Sequence, residues 1–402
     1  MKKIALITTT QPAANPRLVK EADTFAAQGY DVTVLYCFVA YWAQEKDKFI
    51  LKNALWKFKQ LGGSSKSTSS YFFSAMKFSF YKFINKTFAG NLFAEQAHAR
   101  CYSLLLREAI KLNADWYIGH NPGAMAVAAN ASNGRGAKAG FDFEDYHRGE
   151  YLDPNTNEFK RQIWLENKYL NCFSYLSAAS SLIKEKIKYD YPALNIPFIK
   201  VLNCFSLKDQ PRFNTQNVED KNLKLFWFSQ HIGKDRGLQI VCQALVSLNN
   251  PNINLTLGGN CTQEIKIYFK SLMGNLQSSI KFIGLISPDK LAIFSSKFDI
   301  GLAVEPGFSE NNNLALSNKI FTYLLAGNAI IFSETVMQKE FNKNSKSGQS
   351  FPINDIETLK KKILFFMDKV ELFKQKKHNY LLAQNKFNWE NESEELLRII
   401  SN

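Results

Sequence analysis

Short apolar runs alternate with amphipathic stretches along the whole chain. KIALITTT at the start reads as a strand. Pro16 through Gln28 places Leu18, Val19, Ala22, Phe25 and Ala26 at helical spacing, and Gly29 closes it. DVTVLYCF is a second strand, so the opening predicts a strand–helix–strand unit. The pattern continues with a helix over 95–112, a strand DWYIGH, a helix over Ala124–Asn133 and a strand KAGFDFED. A strand FSYLSAAS, a helix around Leu182–Lys188 and a strand FIKVLNCF follow. The segment 211–221, PRFNTQNVEDK, is polar and turn-rich, a linker signature. Beyond it come a strand KLFWFSQ, a helix from Leu238, a strand INLTLGG, a helix near 262–275 and a strand KFIGL. A final helix is expected over about 390–400. This alternation predicts the α/β class with a parallel sheet in each half. The expected domains are 1–207, with a basic–aromatic insertion at about 48–94, and 222–388, joined by a linker at 208–221 and followed by a helix over 389–402.

Length supports the division, since 402 residues exceed one ordinary core and suit two domains. An apolar fraction of 46% argues against disorder. No apolar run approaches the roughly 18 residues of a membrane span. MKKIALITTT has too short an apolar run for a signal peptide and reads as a strand. Cys37, Cys101, Cys172, Cys204, Cys242 and Cys261 show no CxxC and no His at ligand spacing, the usage expected of reduced thiols in a cytosolic protein. The net charge of +14 changes the picture, because it calls for an anionic partner: nucleic acid, anionic lipid or a phosphorylated substrate. Lys48 to Phe93 concentrates it, with eight Lys, twelve Phe, Trp or Tyr, and no Asp or Glu. Such basic–aromatic composition suits the headgroup boundary of an anionic membrane; aromatics packed in the core and solvated lysines are the alternative.

The richest chemistry lies in Asp299 to Gly327, DIGLAVEPGFSENNNLALSNKIFTYLLAG. An apolar run Ile300–Val304 reads as a buried parallel strand. Pro306 ends it, which puts Glu305 at the strand's carboxyl end, where open α/β sheets bind ligands. Ser317 stands at an N-cap position and Gly327 at a helix stop. Asn318 and Lys319 fall in the first turn, where free N–H groups and the helix dipole favour a phosphate. Upstream, WFSQHIGKDRGL offers a strand, a turn at Gly233, and Arg236 beside Gly237 at a helix start, suited to a diphosphate. His120, in IGHNP, follows a strand. Asp142, Glu144 and Asp145 lie in FDFEDYH; three carboxylates in four residues suit a divalent metal, but strand alternation lets only Asp142 and Glu144 face together. The first loop, QPAANPR, has no Gly to cradle a phosphate and offers the Arg17 side chain instead.

The Asp299–Gly327 stretch resembles the donor-sugar site of the retaining glycosyltransferases of group 1, or family 4. Their GT-B fold consists of two facing Rossmann-like domains with a C-terminal helix crossing back to the first. In that family an E-x7-E motif lines the nucleotide-sugar pocket. Glu305 matches its first Glu; the second falls on Thr322, or on Asn313 by literal spacing. The family's G-R-x4-K-G element is similar to His231 through Gly237, with His231 at its Arg and Arg236 at its Lys. The resemblance implies catalytic roles for Glu305 and His120. It implies donor and diphosphate contacts from Arg236, Gly233, His231, Ser317, Asn318, Lys319 and Thr322, and acceptor-side roles for Arg17, Asp142, Glu144 and His147. No metal or other cofactor is expected, because this family balances the diphosphate with a helix dipole and Arg or Lys. The implied activity is transfer of a sugar from a nucleoside diphosphate donor to an acceptor glycan or lipid-linked glycan. It would serve polysaccharide, lipopolysaccharide or glycolipid synthesis, in the cytoplasm or at the inner face of the membrane. Two alternatives stand beside it. One is a nucleotide-sugar epimerase of the same fold. The other is a basic nucleic-acid-binding protein, although no RNP, KH or zinc-finger pattern is present.

Overall fold

A computed structural model describes residues 1–64, 68–87, 91–134, 136–213 and 222–402. The chain divides into two compact units. Unit 1 comprises Met1–Val201 and Ser393–Asn402; unit 2 comprises Leu202–Glu392. A short 3-10 turn at Leu207–Asp209 overlaps the start of the expected linker, whose 214–221 portion lies outside the described residues.

Unit 1 contains one sheet of β1 (Lys3–Thr8), β2 (Asp31–Cys37), β3 (Lys57–Leu61), β4 (Trp116–His120), β5 (Lys138–Phe143), β6 (Tyr175–Ala178) and β7 (Phe198–Lys200). The spatial order is β3-β2-β1-β4-β5-β6-β7 and every pairing is parallel. The β1, β4 and β5 interiors are buried on both faces, which explains their near-continuous apolar runs. The final helix, Trp389–Ser401, ends in this unit, where Lys2 Nζ donates to the carbonyls of Ile400 and Ser401.

Unit 2 contains β8 (Leu223–His231), β9 (Ile253–Asn260), β10 (Ile280–Ile283), β11 (Ile300–Ala303), β12 (Ala329–Ser333) and β13 (Gly348–Phe351), ordered β10-β9-β8-β11-β12-β13 and again parallel. Its core is formed by Leu225, Trp227, Leu255, Leu257, Ile300, Leu302 and Ile331, with helix residues such as Leu238 and Val241 laid over them.

Two expectations change. The helix predicted over 95–112 is two helices, Ala94–His98 and Tyr102–Leu112, separated by extended backbone at Ala99. The break turns Arg100 onto the carbonyls of Phe38 and Gly62 and the hydroxyl of Ser74, bonds that a continuous helix would not direct there. The segment expected as an insertion at about 48–94 carries the end of a helix, Tyr41–Asn53, then the edge strand β3 and a helix, Thr68–Thr87. Residues 65–67 and 88–90 of that segment lie outside the described residues. Among the described residues no helix is long and apolar enough to cross a membrane.

Candidate functional site

In each sheet the strand order reverses once, between β1 and β4 and between β8 and β11. Such switch points open a crevice at the carboxyl ends of the strands. Most candidate residues of each unit gather at its own switch point.

In unit 2 the site is built from β11 outward. Asp299, before the strand, accepts from Lys224 N–H and lies 3.3 Å from Lys376 Nζ, which fixes the β8–β11 register. A side chain at Gly301 would meet the Tyr323 ring at 2.2 Å, so only glycine admits the helix Asn318–Ala326 at this distance. The Tyr323 hydroxyl reaches the carbonyls of Phe226 and Leu302 at 3.1 and 3.3 Å, holding that helix against both central strands. Glu305 emerges just past the strand, and Ser333 Oγ accepts from its N–H at 2.7 Å and lies 2.8 Å from its carbonyl.

The first turn of the helix thereby comes to the Glu305 carboxylate. Lys319 Nζ lies 2.7 Å from Glu305 Oε1 and Asn312 Nδ2 3.4 Å from Oε2. Burial pushes the Glu305 carboxyl up, but the Lys319 ammonium and hydrogen bonds from Lys319, Ser317 and Asn312 outweigh it, holding the group below the usual glutamate range. Ser317 is the N-cap residue, yet its side chain does not cap the helix and instead lies 3.4 Å from Lys319 Nζ. An anion at this helix start would meet an uncapped turn, the dipole and a lysine together. Gly237, with φ +72°, starts the helix Leu238–Leu248, and a side chain there would lie 3.8 Å from the Val304 side chain and 3.9 and 4.0 Å from the backbone of Val304 and Glu305. The turn holding Gly233 and Arg236 therefore runs beside the Glu305 crevice. Arg236 is 44% exposed, with its Nε 3.9 Å from Asp235, and His231 is exposed at the end of β8. Thr322 differs from the expectation: it is buried and its hydroxyl turns to the Asn318 carbonyl at 3.5 Å, so it offers a ligand no polar atom. Asn313, the literal-spacing position, clamps the carbonyls of Gly307 and Ser309.

In unit 1 the switch point holds a buried ion network. Arg17 forks onto Asp142, with Nε 2.5 Å from Oδ2 and Nη2 2.7 Å from Oδ1, and its Nη1 donates to the Val201 carbonyl. Ser177 Oγ donates to Asp142 Oδ1. His120 is fully buried, 3.2 Å from Glu21, 3.4 Å from Glu144 and 3.6 Å from Asp142. Burial draws its pKa down, but Glu21, Glu144 and Asp142 push it up to about 10, so the ring is an imidazolium at neutral pH. Arg17, expected to reach a ligand from the first loop, and His120, expected at a reacting hydroxyl, both point into the interior. The physical reason is the three carboxylates on helix Pro16–Ala27 and on and after β5, which hold both cations inward. Glu144, at 24% exposure, is where this network meets solvent. His147 is nearly buried in a separate 3-10 turn, 3.3 Å from Glu150. Burial lowers its pKa and Glu150, Asp145 and Glu144 raise it, with a net upward shift.

No protein-family model and no curated protein matches the chain. Solved structures do. HepE of Anabaena, solved with UDP and with UDP and glucose, aligns over 100% of both chains at 14% identity, with TM-scores of 0.71 and 0.72. A sucrose-phosphate synthase from Thermosynechococcus elongatus aligns at 12% identity over 100% of this chain and 98% of its own, with a TM-score of 0.74. TarM of S. aureus, in complex with Fondaparinux, alpha-GlcNAc-glycerol and UDP, aligns over 100% of both chains at 12% identity and 0.69. The fold is GT-B.

Within this GT-B chain, sequence reasoning missed Asn312 and Ser333, which hold Glu305, and Glu21, which faces His120. Asn121 was also missed; it ties the first loop to the β4 end through Thr8 and Thr9 at 2.7 Å each. The run of asparagines at 311–313, which lies in the short helix Glu310–Leu314, was a visible signal for Asn312; Glu21 had none, because it sits on the buried face of an ordinary amphipathic helix. Among the described residues, Glu21, His120 and Asp142 form one group whose atoms could converge on a metal. The Arg17 fork already takes both Asp142 oxygens, and His120 is cationic, so the protein's own cations occupy that role.

Proposed function

We propose that this protein is a glycosyltransferase that moves a sugar from a nucleoside diphosphate donor to an acceptor hydroxyl, in polysaccharide, lipopolysaccharide or glycolipid synthesis. The observation that carries the reading is the Glu305–Lys319 pair at the β11 end, set at an uncapped helix start beside the Gly237 turn. A diphosphate at that helix start would draw on the dipole, Lys319 and the neighbouring Arg236, all stabilising negative charge as it develops on the leaving group. Glu305, ionised and oriented from two sides, would hydrogen-bond the donor sugar. UDP in HepE and TarM and UDP-glucose in HepE, which share the fold, support such a donor. Glu144, the solvent-facing carboxylate of unit 1, fits the acceptor side, with His120 positioning it.

The reading includes a reaction without a metal, since Arg and Lys supply the positive charge, and a cytoplasmic location. It also includes contact with an anionic membrane through the basic–aromatic segment Lys48–Phe93, where each Lys at such a surface contributes about 1 kcal/mol. A thermal-shift screen of UDP, GDP, ADP and their sugars tests the donor. A ligand at 100 times its Kd adds about 2.7 kcal/mol to stability. Turnover that persists in EDTA supports the metal-free reaction, and a product formed only with an acceptor separates transfer from epimerisation. Glu305→Gln is expected to lower kcat and kcat/KM together, because the contact strengthens toward the transition state; near-normal turnover would remove Glu305 from the site.

A further inference from the structure

The helix Thr68–Thr87 exposes an aromatic side. Phe72, Met76, Phe80 and Phe83 follow helical spacing and are 72, 62, 59 and 63% exposed. Lys77 lies over the Phe73 ring at 4.6 Å and Lys82 over Phe78 at 4.7 Å. At the carboxyl end of this helix, Lys82, Phe83 and Lys86 face Asn157, Glu158 and Arg161 of the helix Asn157–Tyr169 across a cleft of about 260 Å³. Arg161 forms its floor and is only 4% exposed. Its Nη1 donates to Asn85 Oδ1 at 3.2 Å and its Nη2 lies 3.6 Å from Glu158, while its buried Nε has no hydrogen-bond partner among the described residues. Three cations line the cleft against one carboxylate. The lining therefore carries a net positive charge.

We propose that this cleft binds the phosphate headgroup of an anionic lipid, with Arg161 at its floor and Lys82 and Lys86 at its mouth, while Phe72, Phe80 and Phe83 enter the lipid interface. The proposal rests on the membrane reading above and gives it a defined site. A buried guanidinium with an open N–H suits a phosphate, whose oxygens accept several charge-assisted bonds at once. The lipid source follows from Phe83, which lines the cleft and is itself exposed; a soluble anion would leave that ring and its neighbours in water, whereas an interface buries them.

Flotation of the full-length protein with phosphatidylcholine vesicles carrying either phosphatidate or oleate, matched in zeta potential, tests it. Phosphatidate vesicles are expected to bind about tenfold tighter. Arg161→Gln and the exposed Lys86→Gln should each erase that preference. Lys77→Gln, outside the cleft, should weaken both vesicle types alike, as should Phe72→Ser. The UDP-induced thermal shift should be unchanged in all four. Equal binding to both vesicles, with Arg161→Gln and Lys86→Gln silent, overturns the cleft but leaves the membrane reading standing. Binding to neither overturns both. Inorganic phosphate binding as tightly without vesicles would mark a soluble-anion site and overturn the lipid assignment.

Discussion

Replacing Lys319 by Met keeps an unbranched side chain, one atom shorter, and removes its charge, leaving the Glu305 carboxylate without its cation. Two unit charges 2.7 Å apart attract by about 6 kcal/mol at an effective dielectric of 20. The net worth is far smaller, because both groups lose hydration. Removing one partner of a fully buried pair costs about 3–5 kcal/mol. Here the side chains are 15 and 14% exposed, and Asn312 and Ser317 can still donate to Glu305. Partial screening brings the expected loss to about 2 kcal/mol, which for a unit of this size lowers the melting temperature by roughly 4–8 °C. Glu305→Gln alone should cost less, and the double variant should lie well below the sum of the two.

The pH dependence makes the test specific. In the native pair Glu305 is held below its ordinary range, so its stabilisation is present above that range and is lost as pH falls through the depressed value. Without Lys319, burial becomes the leading influence and raises the carboxyl instead. The variant's deficit should then be largest at pH 7 and shrink toward pH 5. Chemical denaturation of the single and double variants across that range measures it. A deficit under about 0.5 kcal/mol, additive with Glu305→Gln and flat in pH, would refute the claim that Lys319 sets the state of Glu305.

Gly301→Ala should destabilise unit 2 by about 1–3 kcal/mol, since its methyl would overlap the Tyr323 ring; it should also weaken UDP binding, because that ring sets the helix carrying Lys319, and denaturation with calorimetry checks both. Arg236→Ala should weaken nucleoside diphosphate binding about tenfold, the worth of one charge-assisted hydrogen bond, with no loss of stability from this exposed residue. His120 has a raised pKa, so its stabilisation is fully present below its unfolded value near 6.5 and is lost as pH rises to about 10. Stability should fall by up to about 1.4 kcal/mol per pH unit through that window, and the slope should vanish in His120→Gln; equal slopes would mean that the imidazolium is not held by Glu21, Asp142 and Glu144.

What the sequence disclosed follows sequence distance. The β11 strand, Glu305 at its end, Ser317 at the helix start and the left-handed Gly327 at its stop are all local signals, and all are found where the pattern puts them. The run AIIFS at 329–333 carries the same signal as β11 and forms β12 beside it. Arg17 and Asp142 are 125 positions apart, and nothing in the loop QPAANPR announces a fork onto β5. Thr322 shows a different limit. The helix is buried from Ile320 through Ala326, so polarity alone does not turn a residue toward a ligand, and a hydroxyl can satisfy itself on the carbonyl four residues back. The break at Ala99 has a third origin: helix propensity runs unbroken through 94–112, and the tertiary bonds of Arg100 override it.

The two switch points use charge in opposite ways. In unit 1 Arg17, His120, Glu21 and Asp142 close on one another with at most 1% exposure, and such a centre fixes loop geometry rather than exchanging ligands. Its rigidity reaches the surface through Glu144, beside an imidazolium that cannot leave. In unit 2 the ion pair is smaller, the helix start carries no side-chain cap, and both charged groups keep some access to water. A site that must admit a diphosphate and then release it needs cations able to change partners. Lys319 and Glu305 keep partial access to water, so Lys319 can pass to an incoming phosphate at lower cost than Arg17 can leave Asp142, which would strand a fully buried charge. On the proposed function, donor exchange falls to the β11 end, and the buried network of unit 1 holds the surroundings of Glu144 fixed.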